Sequence, residues 1–459
     1  PYIVSSASAL LNASAQLPFG KDASTVPHYQ ANIRSDHLNI QNTDTHYILE
    51  KPIIQLAVGS KDVQLNLDAK SASMSASDVT QSMQSLQVTA RAKSFETLTK
   101  KIDVQGTQMD HPLLKEWPKP DLKLIASEKR PGIWTADGDV ILRGKPMLHF
   151  SAEHQLKTDR GQSLVQWKWP LTELHSALSK RPKALTPLAL MSGDSQGQFQ
   201  LSWHKDQEQW QVQAHGKSSA SDTAIVWQES SGSGLNIAAT LDDLQKLHGS
   251  LSANMSAFAL AAGINATALS AEIHKTDAAL KLNNVHWKLL DAEWFVPDQE
   301  FLPGAELHAP MAIIGLNLEK VLKLFDVHGL TGQGVLDGAI PITLKETGVV
   351  MEDAELHARE PGRLSYAPGA ADPNENIGLK VLRNFHYKTL RVQFNYRSEG
   401  DYTLKLTLNG SNPGFYDGYP INMSLNIAGK LPGLFKSAIF SGDFNKHILE
   451  SVGTGTTPP

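Results

Sequence analysis

Residues 390–427, LRVQFNYRSEGDYTLKLTLNGSNPGFYDGYPINMSLNI, contain the clearest strand pattern of the chain. Apolar and polar side chains alternate in three runs, 390–396, 402–408 and 421–427. Because successive side chains of a β-strand point to opposite faces, each run predicts a strand with one apolar and one polar face. The turn-forming segments SEGD, NGSNPG and YDGYP separate the runs and predict an antiparallel meander. The predicted apolar face consists of Leu390, Val392, Phe394, Tyr396, Tyr402, Leu404, Leu406, Leu408, Ile421, Met423, Leu425 and Ile427.

The same alternation recurs earlier in the chain, for example at residues 63–67, 86–90, 235–239 and 280–282. Helical periodicity is confined to a few short segments, and each of them precedes a glycine-containing turn. These segments are LTELHSALSK (171–180), TLDDLQKLHG (240–249) and NLEKVLKLFDVHG (317–329). The sequence therefore predicts a mostly β protein of serial architecture with a few short helices.

The composition argues against several functional classes. The 459 residues include 42 basic and 47 acidic side chains, so the net charge of −5 offers no electrostatic basis for binding nucleic acid. The chain has no cysteine, which excludes disulfides, thiol catalysis and cysteine-ligated metal centres. No run of about 18 apolar residues predicts a membrane span, and no signal peptide is recognisable. Since position 1 is proline, we expect the sequence to be a fragment or a processed form.

The segment GDSQG (193–197) matches the G-x-S-x-G pattern of serine hydrolases, with Ser195 in the place of the nucleophile. A nucleophile elbow requires a strand before the serine and a helix after it. Here a predicted helix precedes the motif and the alternating segment QFQLSW follows it. We therefore expect Gly193, Ser195 and Gly197 to form a turn that starts a strand, and serine hydrolysis is a distant alternative.

Other patterns are interpreted as structural. GLTGQGVLDG resembles a dinucleotide fingerprint, but Asp337 occupies a required glycine position and a strand is predicted to follow it. His149 and His154 are expected on opposite faces of one strand, which does not suit a metal site. The nine tryptophans, including Trp203 and Trp210, lie mostly in strand patterns, which favours packing or hairpin pairing over ligand stacking. The sequence thus predicts no catalytic residue, no metal and no cofactor.

The apolar faces of so many strands must be covered by something. A few short helices cannot cover roughly 25 to 30 strands, whereas a sheet curled on itself encloses its own apolar face. We therefore expect a long curled antiparallel sheet that forms a taco-like apolar groove. The candidate lining residues are Val392, Phe394, Leu404, Leu406, Leu408, Ile421, Met423, Leu425 and Ile427. An open groove at Leu406 would let arginine at this position block transport without unfolding the protein.

The region 316–440 resembles a known family. The segments LNLEKVLKLFDVHGLTGQGVLDGAIPITL, AELHAREPGRLSYAPG, ENIGLKVLRNFHY and RSEGDYTLKLTLNGSNPGFYDGYPINMSLNIAGKLPGLF are similar to the AsmA-like bridge proteins of Gram-negative envelopes, most closely the YdbH type. The resemblance implies a β-groove that crosses the periplasm, is anchored in the inner membrane by an N-terminal helix, and carries phospholipids towards the outer membrane. It also implies a small outer-membrane lipoprotein partner, YnbE-like, that continues the groove by strand addition.

These observations define the hypotheses for function. The main one is non-enzymatic intermembrane phospholipid transport that supports outer-membrane lipid homeostasis, with 1–315 as a groove-forming β-rich repeat region and 316–459 as the C-terminal region. The alternative is an envelope scaffold or a TamB-like outer-membrane assembly factor that conducts no lipid. We expect the partner to bind near residues 421–452, where the helical patterns LPGLFKSAIF and HILESV could instead close the groove as a plug.

Overall fold

The fold is described from a computed structural model of the chain. In the described residues, 30 strands belong to one antiparallel sheet, and helical backbone occurs only in short segments. The predicted mostly β fold with a few short helices is therefore confirmed. The described residues are 3–6, 8–16, 28–42, 45–59, 62–76, 79–94, 97, 100–110, 119–173, 188–206, 209–227, 230–243, 246, 248–259, 264–302, 307–324, 329–345, 348–367, 377–397 and 400–430.

Strands of about ten residues follow one another along the chain. The first half contains β1 (Ile3–Ser5), β2 (Ala9–Gln16), β3 (His28–Ser35), β4 (His37–Gln41), β5 (Thr45–Glu50), β6 (Ile53–Val58), β7 (Val63–Ala76), β8 (Val79–Ala92), β9 (Lys101–Asp110), β10 (Asp121–Arg130), β11 (Ile133–Leu142), β12 (Lys145–Gln155), β13 (Arg160–Pro170), β14 (Leu188–Leu190) and β15 (Asp194–Asp206).

The second half adds two helices to the strands. It contains β16 (Gln209–Trp227), β17 (Ser230–Asp243), β18 (His248–Ala259), β19 (Asn265–Lys275), β20 (Leu280–Leu289), β21 (Ala292–Val296), β22 (Gln299–Phe301), β23 (Leu307–Asn317), α1 (Leu318–Leu324), β24 (Leu330–Gln333), β25 (Val335–Lys345), β26 (Gly348–Ala358), β27 (Gly362–Tyr366), α2 (Ile377–Leu382), β28 (Phe385–Tyr396), β29 (Asp401–Ser411) and β30 (Ile421–Lys430). A 3₁₀ turn, Tyr416–Gly418, lies in the predicted turn between β29 and β30.

The chain divides into two compact units. Unit 1 comprises Pro1–Pro182, Asp194–Ser218 and Asp242–Gln245, and unit 2 comprises the remaining segments. The predicted boundary between residues 315 and 316 falls inside β23, which belongs to unit 2. The division into 1–315 and 316–459 therefore stays a prediction about function.

Pairing is antiparallel and mostly between consecutive strands, as β7 with β8 and β10 with β11 in unit 1. Bends divide some long strands, so β3 pairs with β6 while β4 pairs with β5. In unit 2, β28 pairs with β29 and β29 with β30, which confirms the predicted C-terminal meander. Every strand predicted from the alternating segments is present.

Helix α1 begins where the sequence predicts a helix. The side-chain oxygen of Asn317 accepts the backbone N–H of Lys320 at 3.2 Å, as an N-cap residue does. Leu318 and Leu322 are buried and lie against Gly332, where a Cβ would approach both side chains. The helix is therefore held by packing on β24 as well as by its cap.

The helix predicted over residues 240–249 is wrong. Leu241–Asp243 continue β17, and residues 248–249 begin β18. A helix of this length has little stability of its own, and strand pairing satisfies the same backbone groups. The pairing is supported by Thr240 and Ser250, whose hydroxyl oxygens lie 2.7 Å apart. Of the helix predicted over 171–180, residues 171–173 are helical and the others lie outside the described residues.

A recurring bulge keeps the apolar side chains on one face. At each bulge a residue with positive φ points its backbone N–H at the side-chain oxygen of an Asp or Asn in an adjacent segment of the sheet. The pairs are Gln108 with Asp121 (3.1 Å), Asp222 with Asn236 (3.0 Å), Asn284 with Asp298 (3.3 Å), Gly315 with Asp337 (2.8 Å) and Asp353 with Asn395 (2.8 Å). An extra residue in a strand reverses the alternation of its side chains.

The effect of these bulges is visible in β23 and β26. Buried side chains fall at odd positions up to Ile313 and at even positions from Leu316, and Gly315 lies between them. In β26 the register shifts between Met351 and Ala354, and these two buried residues oppose Tyr396 and Phe394 on one face of β28. Each strand therefore continues to present apolar side chains to the same face after the bulge.

Asp337 holds the bulge at Gly315 and also binds Arg359. Its two carboxylate oxygens accept hydrogen bonds from Nε and Nη2 of Arg359, with distances of 2.8 and 2.7 Å. The backbone N–H of Gly315 donates a third hydrogen bond to the same carboxylate. The hydrogen bonds from Arg359 hold the pKa of Asp337 below its ordinary value, against a smaller opposing effect of desolvation. Bidentate arginine–carboxylate pairs are stronger than single ion pairs.

This geometry predicts a pH-dependent effect of Asp337→Asn. Because the folded pKa is lowered, the carboxylate contributes stability that is present above its unfolded pKa of about 3.9 and is lost as the pH falls through the folded value. We expect the variant to lose about 1 kcal/mol of unfolding free energy at neutral pH and progressively less towards about pH 3.

Urea denaturation across this pH range measures the effect. Asp401→Asn is the control, since Asp401 forms only an exposed pair with Lys430 at 3.5 Å and should change stability by less than about 0.5 kcal/mol. A loss in Asp337→Asn that does not vary with pH would contradict the assignment.

Candidate functional site

The strand register identifies which side chains share a face, because directly opposed residues on neighbouring strands lie side by side. In unit 1, two rows of opposed residues cross eleven strands from β2 to β15. We call the face that carries them the dry face of unit 1. One row is Ala13, Ala31, Leu56, Leu65, Ala90, Ile102, Ala126, Ala136, Ala152, Ser163 and Leu201; the other is Leu11, Ile33, Ile54, Leu67, Val88, Val104, Leu124, Gly138, Phe150, Val165 and Phe199.

These rows form a continuous apolar surface within unit 1. At about 4.8 Å per strand, ten strand intervals correspond to roughly 50 Å along each row. No charged side chain occurs in either row, and Ser163 is the one polar member. The face is therefore long enough to contact several acyl chains in succession.

The dry face of unit 1 is only partly covered by its own side chains. Leu11 is 63% exposed and Ile33 is 37% exposed. A cavity of about 260 Å³ lies on this face and is lined by Ala13, Ser14, Ala15, Tyr29, Gln30, Ala31, Leu56 and Val58. Contiguous apolar surface left accessible in this way is typical of a binding surface.

Several bulky side chains lie flat on this face because a glycine is beneath each of them. A Cβ at Gly161 would overlap the ring of Trp203, and one at Gly197 would overlap the ring of Trp167. Phe150 covers Gly138 in the same way. The large rings therefore stay close to the sheet and do not project across the apolar surface.

In unit 2 the predicted lining residues lie together on one face of β28, β29 and β30. The register places Val392, Leu406 and Leu425 in one row. Phe394, Leu404 and Ile427 form the next row, and Leu408 lies opposite Met423. We call this surface the dry face of unit 2. The row of Val392, Leu406 and Leu425 continues on the preceding strands through Leu356, Gly338, Ile313, Trp294 and Trp287.

Burial on the dry face of unit 2 decreases towards β30. Leu406 and Leu408 on β29 are 1% exposed, and they belong to a hydrophobic cluster that includes side chains of α1 and α2. Met423 and Leu425 on β30 are half-buried and pack at the edge of the same cluster. Leu406 is thus part of a packed core, and this burial does not fit the expectation that arginine there leaves folding intact.

The opposite face of these strands is polar, as the alternation predicts. Arg391 binds Glu355 at 2.6 Å, and the amide of Asn409 donates to Asn422 at 2.6 Å. The side chains of Arg391, Gln393, Asn395, Thr403, Lys405, Thr407, Asn422, Ser424 and Asn426 are exposed. Each of the three strands therefore separates an apolar surface from water.

The G-x-S-x-G motif is part of a strand. Gly193 has a positive φ of 112° and precedes β15, but Ser195 and Gly197 lie within β15 and pair with β13. The turn predicted for Ser195 is therefore wrong, because Gly197 makes room for Trp167 and strand pairing extends through the motif. The hydroxyl of Ser195 accepts the indole N–H of Trp167 at 3.2 Å. The serine is followed by a strand to Asp206, whereas a nucleophile elbow requires a helix.

The remaining candidate motifs also have structural roles. Asp337, in the apparent dinucleotide fingerprint, is the partner of Arg359, and the strand predicted after the motif is β25. His149 contacts Asp139 at 3.0 Å, whereas His154 accepts the indole N–H of Trp203 at 3.1 Å. Among the described residues, no group of three or more acidic or histidine side chains has the geometry of a metal site.

Sequence reasoning did not identify the glycine-covering rings or the bulge partners. A glycine and the tryptophan opposite it, such as Gly161 and Trp203, are far apart in the sequence and form no local pattern. The Asp or Asn partners are separated from their bulges by 13 to 42 residues. Only the strand register brings these residues together.

Comparison with known protein families identifies a match to this chain. A family model described as "YdbH-like: Intermembrane phospholipid transport protein YdbH" matches residues 6–453, which confirms the predicted resemblance and extends it over most of the sequence. Neither the curated proteins nor the solved structures give a match. Within the described segments, no helix combines the length and the apolar content needed to cross a membrane.

Leu406 and Lys405 are neighbours on β29 but lie on its apolar and polar faces, so substitutions at the two positions should differ in their effect on stability. Leu406→Arg would place a charge in the packed core, so we expect it to lower the unfolding free energy by more than about 3 kcal/mol. Lys405→Glu changes an exposed side chain and should alter stability by less than about 0.5 kcal/mol. Urea denaturation followed by circular dichroism measures both values. Similar small changes in the two variants would contradict the burial of Leu406.

Proposed function

The chain belongs to the YdbH-like family of intermembrane phospholipid transport proteins, and we propose that its apolar sheet faces carry the lipid tails. In this proposal the sheet forms an open-sided groove across the periplasm, with tails on the dry faces and headgroups towards water. The observation that carries it is the pair of rows over eleven strands of unit 1, which contain no charged side chain and only one polar residue, Ser163.

The energetic argument concerns the two acyl chains of a phospholipid. They contain roughly 30 methylene groups, and at about 0.8 kcal/mol each their exposure to water would cost more than 20 kcal/mol. A continuous apolar surface removes much of this cost at every position along its length. Transfer between adjacent positions then requires no step in which the tails are fully exposed to water.

We assign the lining in the C-terminal region to the dry face of unit 2. The predicted residues on β28 and β29 form its apolar floor, and those on β30, which are half-buried, provide the contact with lipid. The lining therefore comprises Val392, Phe394, Leu404, Leu406, Leu408, Ile421, Met423, Leu425 and Ile427. The part of this lining that lipid can reach consists of the four residues on β30, Ile421, Met423, Leu425 and Ile427.

The partner and its position are also proposals. In the described residues β30 pairs only with β29, and we propose that its other edge receives an added strand. The edge carries no proline and only one charged residue, Lys430, and unprotected edges of this kind favour strand addition. We propose that a small outer-membrane lipoprotein, YnbE-like, binds here. Residues 431–452, with the two helical patterns, lie outside the described residues.

The proposed location is the periplasm of a Gram-negative bacterium, between the two membranes. An N-terminal inner-membrane anchor in the full-length protein belongs to the same proposal. Transport of this kind requires neither a catalytic residue nor a cofactor. The second candidate is a scaffold or a TamB-like assembly factor, which would have the same sheet but no bound lipid. The partly exposed apolar residues Leu11 and Ile33 favour the conduit, since a scaffold gains nothing from such surface.

Photo-crosslinking from adjacent positions on β30 tests the proposal. Leu425 is on the dry face and Asn426 is on the polar face. A photoreactive residue at position 425 should capture phospholipid in cells, and the same residue at position 426 should capture at least about ten times less, because the two faces differ in contact with apolar chains. Equal capture at both positions, or none at either, would contradict the groove.

A further inference from the structure

An aromatic corner lies at the margin of the dry face of unit 1. It is formed by His154 on β12, Trp203 on β15 and Trp210 on β16. His154 is one residue from the end of its strand, and Trp210 is the second residue of its strand, so the corner lies near the hairpin ends. Trp134, near the start of β11, is directly opposite His154. The cluster is thus placed where the apolar surface meets water.

Two rings of the corner form a flat floor. The indole N–H of Trp203 donates to Nδ1 of His154 at 3.1 Å, and the two ring planes differ by only 19° with centroids 6.2 Å apart. Because a hydrogen bond between ring nitrogens lies close to both ring planes, the rings are side by side. Trp203 rests on Gly161, which is directly opposite it in the sheet.

The third ring forms a wall beside this floor. The Trp210 ring is 6.2 Å from His154 between centroids and is tilted by 51°. Its side chain is 52% exposed, which packing alone does not explain, since the floor is already supported by Gly161. The indole faces of Trp203 in the floor and Trp210 in the wall are groups of the kind that attract a cation.

A carboxylate on the same face adds negative charge. Glu128 is directly opposite Trp134, and Trp134 is opposite His154, so the acid is two strands from the corner, roughly 10 Å away. Its carboxylate accepts the N–H of Gly132 at 2.7 Å and lies 3.8 Å from Lys100, at the limit of an ion pair. The side chain of Glu128 is 18% exposed, so the charge is held near the dry face.

We propose that this corner binds the ammonium group of a phospholipid headgroup whose acyl chains lie on the dry face of unit 1. The inference rests on the proposed function, because the tails bring the headgroup to the margin of the apolar surface. The rings would select a headgroup that carries an amine over one that is anionic, and Nε2–H of His154 offers a donor to the phosphate oxygens. The expected ligand class is therefore phosphoethanolamine lipids.

Competition between two lipids with identical acyl chains tests the proposal. One sample of the 459-residue protein is incubated with fluorescent phosphatidylethanolamine and unlabelled phosphatidylglycerol, and in a second sample the label is on phosphatidylglycerol. The ratio of the two bound lipids is then measured. We expect a preference of about 3-fold or more for phosphatidylethanolamine. Trp210→Leu should reduce this ratio to about 1, and Trp210→Tyr should retain most of it because an aromatic face remains.

The control is Val212→Ala, which removes apolar surface two residues further along β16 without changing an aromatic ring. It should leave the ratio unchanged. A ratio near 1 in the unmodified protein, or an unchanged ratio in Trp210→Leu, would overturn the headgroup site and leave the conduit intact. Binding of neither lipid would overturn the conduit itself. Capture of a protein, and of no lipid, by a photoreactive residue at position 210 would show that the corner binds another partner.

Discussion

The structure depends on keeping apolar side chains on one face of a very long antiparallel sheet. In a β-strand the side chains alternate, so one inserted residue transfers every later apolar side chain to the polar face. The bulges at Gly315 and Asp353 make the necessary correction, because the buried position moves from Ile313 to Leu316 across the first and from Met351 to Ala354 across the second. Their N–H groups are tied to Asp337 and Asn395, so the correction is stabilised by specific side chains.

The two units use the apolar face differently. In unit 2, side chains such as Leu406 and Tyr387 are buried, and the Tyr387 hydroxyl donates to the carbonyl of Gln333 at 2.9 Å. Burial raises the pKa of Tyr387, so this hydroxyl stays protonated and keeps its donor role. In unit 1 the aromatic rings lie flat over glycines and much of the apolar surface is accessible. Tight packing in one unit gives a stable framework, and accessible apolar surface in the other is suited to a mobile apolar ligand.

Much of the fold could be predicted from local patterns. Period-two alternation predicts strands such as β28 to β30, and leucine spacing predicts helix α1. Residues 241–243 were predicted as helix because the leucine spacing suits either structure, and only their pairing decides for a strand. Ser195 was placed in a turn because glycine and serine are common in turns, whereas the glycine makes room for Trp167. The bulge partners and the corner of His154, Trp203 and Trp210 depend on register between distant segments, which a single sequence does not reveal.

Mass spectrometry of bound lipid shows whether the apolar faces hold phospholipid. The protein is purified from a Gram-negative host without detergent exchange, extracted with organic solvent, and compared with an unrelated periplasmic protein treated identically. We expect about one or more phospholipid molecules per chain, well above the control. Phospholipid at or below the control level would show that the apolar faces hold no lipid and would favour a scaffold without lipid conduction.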